Sequence, residues 1–381
     1  MTVGNNGLGI YGEGTGGTIT ADMSNITVGT DNAIGVYAKE MNSIVTGNMG
    51  IGANTSIGIA SEGNGDVTYT GAMTIANKAA TASVGIYKTD VAGTISTSAG
   101  SWSIGENGYG IYLKQTTGQS ATVNNNADMN LHMAAVGIFS SGANIVNNSG
   151  NITVGATNVN GDHGNLEKHE NSIGIYLTGG SIGKNTSLGV ITINHDHSVG
   201  VYVAGSTTSF TNEGIINVDN GGIGILVQDK GTAENKGTIN LGGTLAGCGS
   251  PTVGMAAYGG AKIINSLTGV INVNEGTGMY VNTGAELVNR GTINVLNGIG
   301  IEGNGKVTNS GLITVTGTGT DRSTSGVGAA NVGAIEIDSA GNIKINDKYV
   351  SVGGTLSTDG ILIIDGAYAD VTTGIPLFSA S

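Results

Sequence analysis

The chain has 381 residues, 70 of them Gly and only 2 Pro, with 38% apolar residues, 11% charged residues, 12 Tyr and a formal net charge of −13. So much Gly argues against a helical protein, and β-branched residues recurring throughout argue against disorder. An acidic balance with no Lys/Arg cluster excludes phosphate-led nucleic-acid binding and favours a cationic partner or an uncharged glycan.

A short phrase, apolar-Gly-apolar-aromatic, returns from one end of the chain to the other, the mark of a repeat architecture. Its glycines are Gly9, Gly35, Gly58, Gly85, Gly110, Gly137, Gly174, Gly200, Gly224, Gly254, Gly278, Gly300 and Gly333. The mean spacing is about 27 residues, too uneven for a heptad or a collagen pattern. A second phrase follows in the later coils, as in Asn212-Glu213-Gly214-Ile215-Ile216-Asn217-Val218 and Asn289-Arg290-Gly291-Thr292-Ile293-Asn294-Val295. Alternating apolar residues such as Ile173, Ile175, Leu177 and Val199, Val201, Val203 carry the period of two of a half-buried strand.

Each coil therefore reads as three short strands joined by Gly/Asn turns. In the coil near Thr277 these are Gly278–Val281, Glu286–Val288 and Thr292–Val295. One coil cannot bury its apolar face alone, so neighbours must stack. The expected fold is all-β, a right-handed parallel β-helix (β-solenoid) of about thirteen coils, forming a single segment over residues 1–381. The Asn of the Asn-x-Gly turns, at Asn148, Asn212, Asn235, Asn289 and Asn309, is expected to form a structural amide ladder along the axis.

Tyr11, Tyr37, Tyr87, Tyr112, Phe139, Tyr176, Tyr202 and Tyr280 share one outward position, unbroken from the fourth to the eighth coil. Such rings can shield neighbouring Gly backbone or stack on sugars. Three stretches interrupt the repeat, 155–172, 242–252 and 316–331, and all are expected at the corner between a third strand and the next first strand. Insertions in a solenoid mark its binding loops. The first holds Asp162, His163, Glu167, Lys168, His169 and Glu170; the equivalent corner one coil later holds His195, Asp196 and His197; the third holds Asp321 and Arg322. These are the candidate contact residues. Their imidazoles and carboxylates fit a solvated polar loop or a pH-sensitive contact better than a metal centre, and no metal or cofactor is expected.

Enzyme motifs are missing. Asp219, Asp229, Glu302 and Glu336 are scattered over different coils, so no pair of carboxylates is set for glycan cleavage. There is no Gly-x-Ser-x-Gly elbow and no His-Glu-x-x-His, and Gly63-Asn64-Gly65-Asp66 is an isolated near-match to a calcium-binding repeat. The single Cys248 cannot form an internal disulfide, and no apolar run is long enough for a membrane-spanning helix. The chain opens directly in the repeat at Thr2-Val3-Gly4 and closes at Ile375-Pro376-Leu377-Phe378 without a polar cap, so it is expected to be a piece of a longer protein.

Phrases such as Ser172-Ile173-Gly174-Ile175-Tyr176 and Gly237-Thr238-Ile239-Asn240 resemble the passenger repeats of large fusobacterial type V autotransporter adhesins, arginine-inhibitable and galactose-sensitive coaggregation types among them. The resemblance covers essentially the whole chain. It implies a monomeric passenger on the bacterial cell surface, held at the outer membrane by a C-terminal β-barrel that this chain does not contain. The implied function is attachment to other bacteria or to host cell-surface receptors and glycans.

Overall fold

The computed structural model describes residues 1–322 apart from 78–80, 90–91, 116–117, 156–171, 196 and 244–251, together with the backbone of a few short strands between 335 and 370. It is a parallel β-solenoid, with no helix among the described residues. First strands stack in chain order into a thirteen-stranded parallel sheet, beginning with Leu8–Glu13 and Ile34–Lys39. Ile173–Thr178 and Val199–Ala204 lie in its middle, and Thr320–Arg322 ends it. Second and third strands stack in the same way and form the other two faces.

The first two coils differ from the expected three-strand pattern. Their second and third strands are fused into Thr18–Val28 and Asn42–Ile51, which pair in parallel with a register shift between Asp22 and Asn25. From Ile57 to Val315 each coil has three separate strands. The thirteenth first strand also differs from expectation. It is Thr320–Arg322, with Thr320 opposite Ile299 and Arg322 opposite Ile301, whereas Gly333 lies outside the described residues. Thr-Asp-Arg lacks the glycine phrase, so the register of the preceding coil, and not local sequence, identifies it. Beyond it Ile335–Ile337, Ile343–Ile345 and Lys348–Tyr349 pair antiparallel, a departure from one parallel solenoid over the whole chain.

Inward side chains form one continuous apolar core from Val3 to Val315. Each fully buried Ile or Val contributes roughly 1.5–3 kcal/mol through removal from water. In the first strand the alternation is broken at the glycine. In Ile173–Thr178, Gly174, Ile175 and Leu177 are buried, whereas Ile173 and Tyr176 are half-buried on the outside. Ile173 therefore does not belong to the inward set with Ile175 and Leu177, because the alternation breaks at the buried Gly174. Inside the core, Tyr69 and Trp102 meet edge to face at 5.5 Å. The Tyr69 hydroxyl donates to the Ala72 carbonyl at 2.7 Å, and Trp102 Nε1 donates to the Gly71 carbonyl at 3.3 Å. Both polar tips are thus satisfied inside the core.

One inward position carries a charge. Lys88 is fully buried, and its Nζ donates to the carbonyls of Gly65 at 2.7 Å and Gly63 at 3.0 Å and to Ser61 Oγ at 3.2 Å. Burial, opposed by the nearby charges of Asp66 and Glu40, pushes the Lys88 ammonium down from 10.5 to about 8. The folded chain thus releases this proton before the unfolded chain does, and between those two values the unfolded chain binds more protons. Stability therefore rises with pH across that window. Denaturant midpoints are expected to climb between pH 8 and pH 10 by about 2–3 kcal/mol in stability, and Lys88→Met is expected to abolish the climb. The window closes near pH 10, where Tyr37, raised to about 12 by burial and its bond to Glu62, begins to favour the unfolded chain.

Candidate functional site

The corner from third to first strand is where the chain departs from its repeat. It is occupied by 155–172, between Asn151–Val154 and Ile173–Thr178, and by 242–252, between Thr238–Leu241 and Val253–Ala257. The third expected insertion is not of this kind. Only residues 316–319 lie between Leu312–Val315 and Thr320–Arg322, so Asp321 and Arg322 belong to a strand of the first sheet and not to a loop at that corner. Asp162, His163, Glu167, Lys168, His169, Glu170 and Asp196 lie outside the described residues. His195, half-buried, and His197, exposed with φ +58°, sit in the short turn between Val190–Ile193 and Val199–Ala204.

The two long connections lead into strands of the first-strand face. Strand register places the aromatic residues in one column: Tyr11 opposite Tyr37, Tyr87 opposite Tyr112, Tyr112 opposite Phe139, Phe139 opposite Tyr176 and Tyr176 opposite Tyr202. Their rings stack on one another, with centroids 5.4 Å apart for Tyr87–Tyr112, 4.7 Å for Tyr112–Phe139, 5.2 Å for Phe139–Tyr176 and 4.7 Å for Tyr176–Tyr202. Ring faces inside the column are therefore occupied by neighbouring rings, which leaves edges and hydroxyls toward solvent. Stacking on sugars needs open ring faces, so the geometry disfavours that use of the column's interior.

Two members escaped the sequence reading. Tyr109 stands where other coils carry Val or Ile, and it meets Tyr112 and Phe139 edge to face at 5.3 and 6.0 Å. Tyr258 follows its strand and stacks on Tyr280 at 5.5 Å, covering the place that Ala256 leaves open in the column. The signal for Tyr109 was its position directly before a repeat glycine; Tyr258 has no positional signal.

The column from Tyr87 to Tyr202 is built of Tyr and Phe alone and carries no charged residue. Burial, reinforced by neighbouring phenols, raises the hydroxyls of Tyr112, Tyr176 and Tyr202 above the usual tyrosine value, so they stay protonated at any physiological pH. Away from this face, burial raises the carboxyl of Asp219 at the turn after Ile215–Val218. Cross-coil ion pairs lie at Lys184–Glu213, 2.8 Å, and at Glu286 between Lys262 at 3.3 Å and Lys306 at 3.2 Å along the second strands, and at Lys39–Glu13, 2.7 Å, between the first two first strands. Exposed pairs of this kind contribute at most about 1 kcal/mol each.

The family model of the BigA third pectate lyase-like domain matches residues 105–269 and, overlapping them, 219–302. No curated protein and no solved structure matches the chain. The pectate lyase-like description is one of fold, and the stacked parallel strands agree with it. With more than half of its length matched and the solenoid geometry in accord, the chain belongs to the family of the BigA third pectate lyase-like domain.

Proposed function

We propose that this chain is a segment of a bacterial surface adhesin, a rod that carries contact loops at one corner and binds without catalysis. The observation that supports it most is the placement of the two long connections, 155–172 and 242–252, at the same corner beside the uncharged aromatic column. A rigid scaffold with variable loops on one edge is how repeat proteins build recognition surfaces. The finer reading follows the sequence resemblance: a passenger of a large fusobacterial autotransporter, displayed outside the outer membrane, that attaches to other bacteria or to host receptors and glycans. Asp162, His163, Glu167, Lys168, His169 and Glu170 supply the polar contacts of the first loop, and no cofactor or metal takes part.

Deletion of 156–171 tests this. The stacked strands on either side pair directly through Val136↔Ile173 and Ile152↔Ile191, so the rod does not depend on the loop. The expected result is an unchanged melting curve with loss of attachment to cells in a binding assay. Unchanged attachment would instead make the rod a spacer for another binding region. Incubation with polysaccharides is expected to release no reducing ends or unsaturated products.

A further inference from the structure

We propose that the first-strand face is a self-association surface, on which two copies of this chain pack side by side with their rods parallel. This goes beyond the adhesive reading and does not rest on it. It also departs from the monomer expected from sequence.

From the strand Val84–Thr89 to the strand Ile223–Gln228, six successive strands present two outward rows, and in the next strand, Val253–Ala257, every residue is buried. One row is aliphatic, with Val136, Ile173 and Ile223 half-buried and Val84 and Val199 each 9% exposed; the other is the half-buried aromatic stack from Tyr87 to Tyr202, continued by Leu226. The outward position at the end of these strands is Thr89, Lys114, Ser141, Thr178, Ala204 or Gln228, so Lys114 is the one charge on this stretch. Charge returns on either side, at Glu62 in the preceding strand and Glu302 further on. In a chain with a net charge of −13, two copies repel over most of their surfaces and least over this one.

The size suits a stable pair. Six strands spaced about 4.8 Å apart, each about 20 Å long, give roughly 600 Å² per copy and about 1,200 Å² in all, at the lower end of the range of about 1,200–2,000 Å² for specific interfaces. The connection 156–171 holds only Val159 and Leu166 as large apolar residues among many polar ones. Relief selects the arrangement. A ring stands taller than a Val or Ile side chain, so the face is a ridge beside a furrow. A two-fold axis along the rods lays each copy's ridge in the other's furrow. Antiparallel rods would set ridge on ridge and leave both furrows empty, against the close packing that interfaces require.

Sedimentation velocity of the whole chain, under reducing conditions so that Cys248 cannot link copies, is expected to show a dimer at micromolar concentration. Tyr112→Lys with Tyr176→Lys is expected to yield monomers with an unchanged far-ultraviolet circular dichroism spectrum. Thr178→Arg, a polar substitution at the rim, is expected to weaken the dimer at least tenfold, while Ile182→Lys on the second-strand face leaves it intact. A monomeric chain, or a dimer indifferent to the face variants, would overturn the proposal. In a Cys248→Ser background, spin labels on Glu302→Cys are expected within about 25 Å of each other; a separation near 50 Å, the antiparallel value, would overturn the parallel pairing.

Discussion

Replacing Asn212 with Ala is expected to destabilise the solenoid by about 2–4 kcal/mol. Asn212 is fully buried. Its Nδ2 donates to Asn235 Oδ1 at 2.8 Å and to the Gly214 carbonyl at 3.2 Å, while its Oδ1 accepts from Asn185 Nδ2 at 2.9 Å. Alanine leaves Asn235 Oδ1 without its donor in a place water cannot reach, and it opens a small cavity besides. Asn212→Asp is expected to do more harm, because a carboxylate would face two oxygens. Asn240→Ala, on the outer face, is expected to change stability by no more than about 0.5 kcal/mol. Denaturant midpoints rank the three variants. Hydrogen exchange should place the loss in the coils between Asn185 and Asn235, since stability in a solenoid is local to a coil and its neighbours.

The ladder to which Asn212 belongs is longer and more ordered than the repeated turn motif suggested. It runs Asn125, Asn148, Asn185, Asn212, Asn235, Asn265, Asn289, Asn309, each link between 2.8 and 2.9 Å. Amide groups along most of it also donate to a carbonyl of their own turn, such as Gly150, Gly189 or Gly214. That second bond fixes which end of the amide is nitrogen, so all links point toward the C-terminal end and the amide dipoles add. On the outer third-strand face a second ladder, Asn294 to Asn272 to Asn240 to Asn217, donates in the opposite sense.

How much of this could be read in advance depended on whether a residue type or a stacked neighbour determined the position. Asn148, Asn212, Asn235, Asn289 and Asn309 were legible because a Gly follows two residues later. Asn185 and Asn265 have longer turns that end at Gly189 and Gly269, and Asn125 is followed by Ala127, so only stacking reveals them. The aromatic column was legible for the same reason as the glycines, a fixed offset within the repeat. Its stacking was not, since ring orientation follows from the strand spacing and not from the alternation. Asp321 and Arg322 were misplaced because a strand without the repeat phrase resembles a loop. Lys88 gave no warning, because an inward position filled in the other coils by small or aliphatic residues or Ser accepts a Lys only where the preceding coil offers Ser61, Gly63 and Gly65 as partners.

The repeat glycine itself supports the second strong prediction. Gly200 does not have a positive φ, so conformational freedom does not explain it. Its neighbours do. A Cβ at this position would lie 2.6 Å from the Gly224 carbonyl oxygen and 2.8 Å from Ile193 Cδ1. The same clash with the next repeat glycine's carbonyl recurs from Gly9 to Gly278, at 2.5 to 2.7 Å. A backbone oxygen held in a parallel sheet cannot retreat as a side chain can. A methyl there must therefore push two coils apart on one face while the other two faces hold their spacing. Gly200→Ala is accordingly expected to cost about 3 kcal/mol or more, as overpacking of a rigid core does. Gly50→Ala is the control: nothing lies within 4 Å of its would-be Cβ and its φ is not positive, so this change is expected to be neutral or stabilising by up to about 1 kcal/mol through the unfolded chain. Thermal or urea unfolding of the two variants side by side separates the explanations. Equal effects would mean that chain entropy governs the glycines, whereas loss confined to Gly200→Ala means that the coils are spaced by the absence of a side chain.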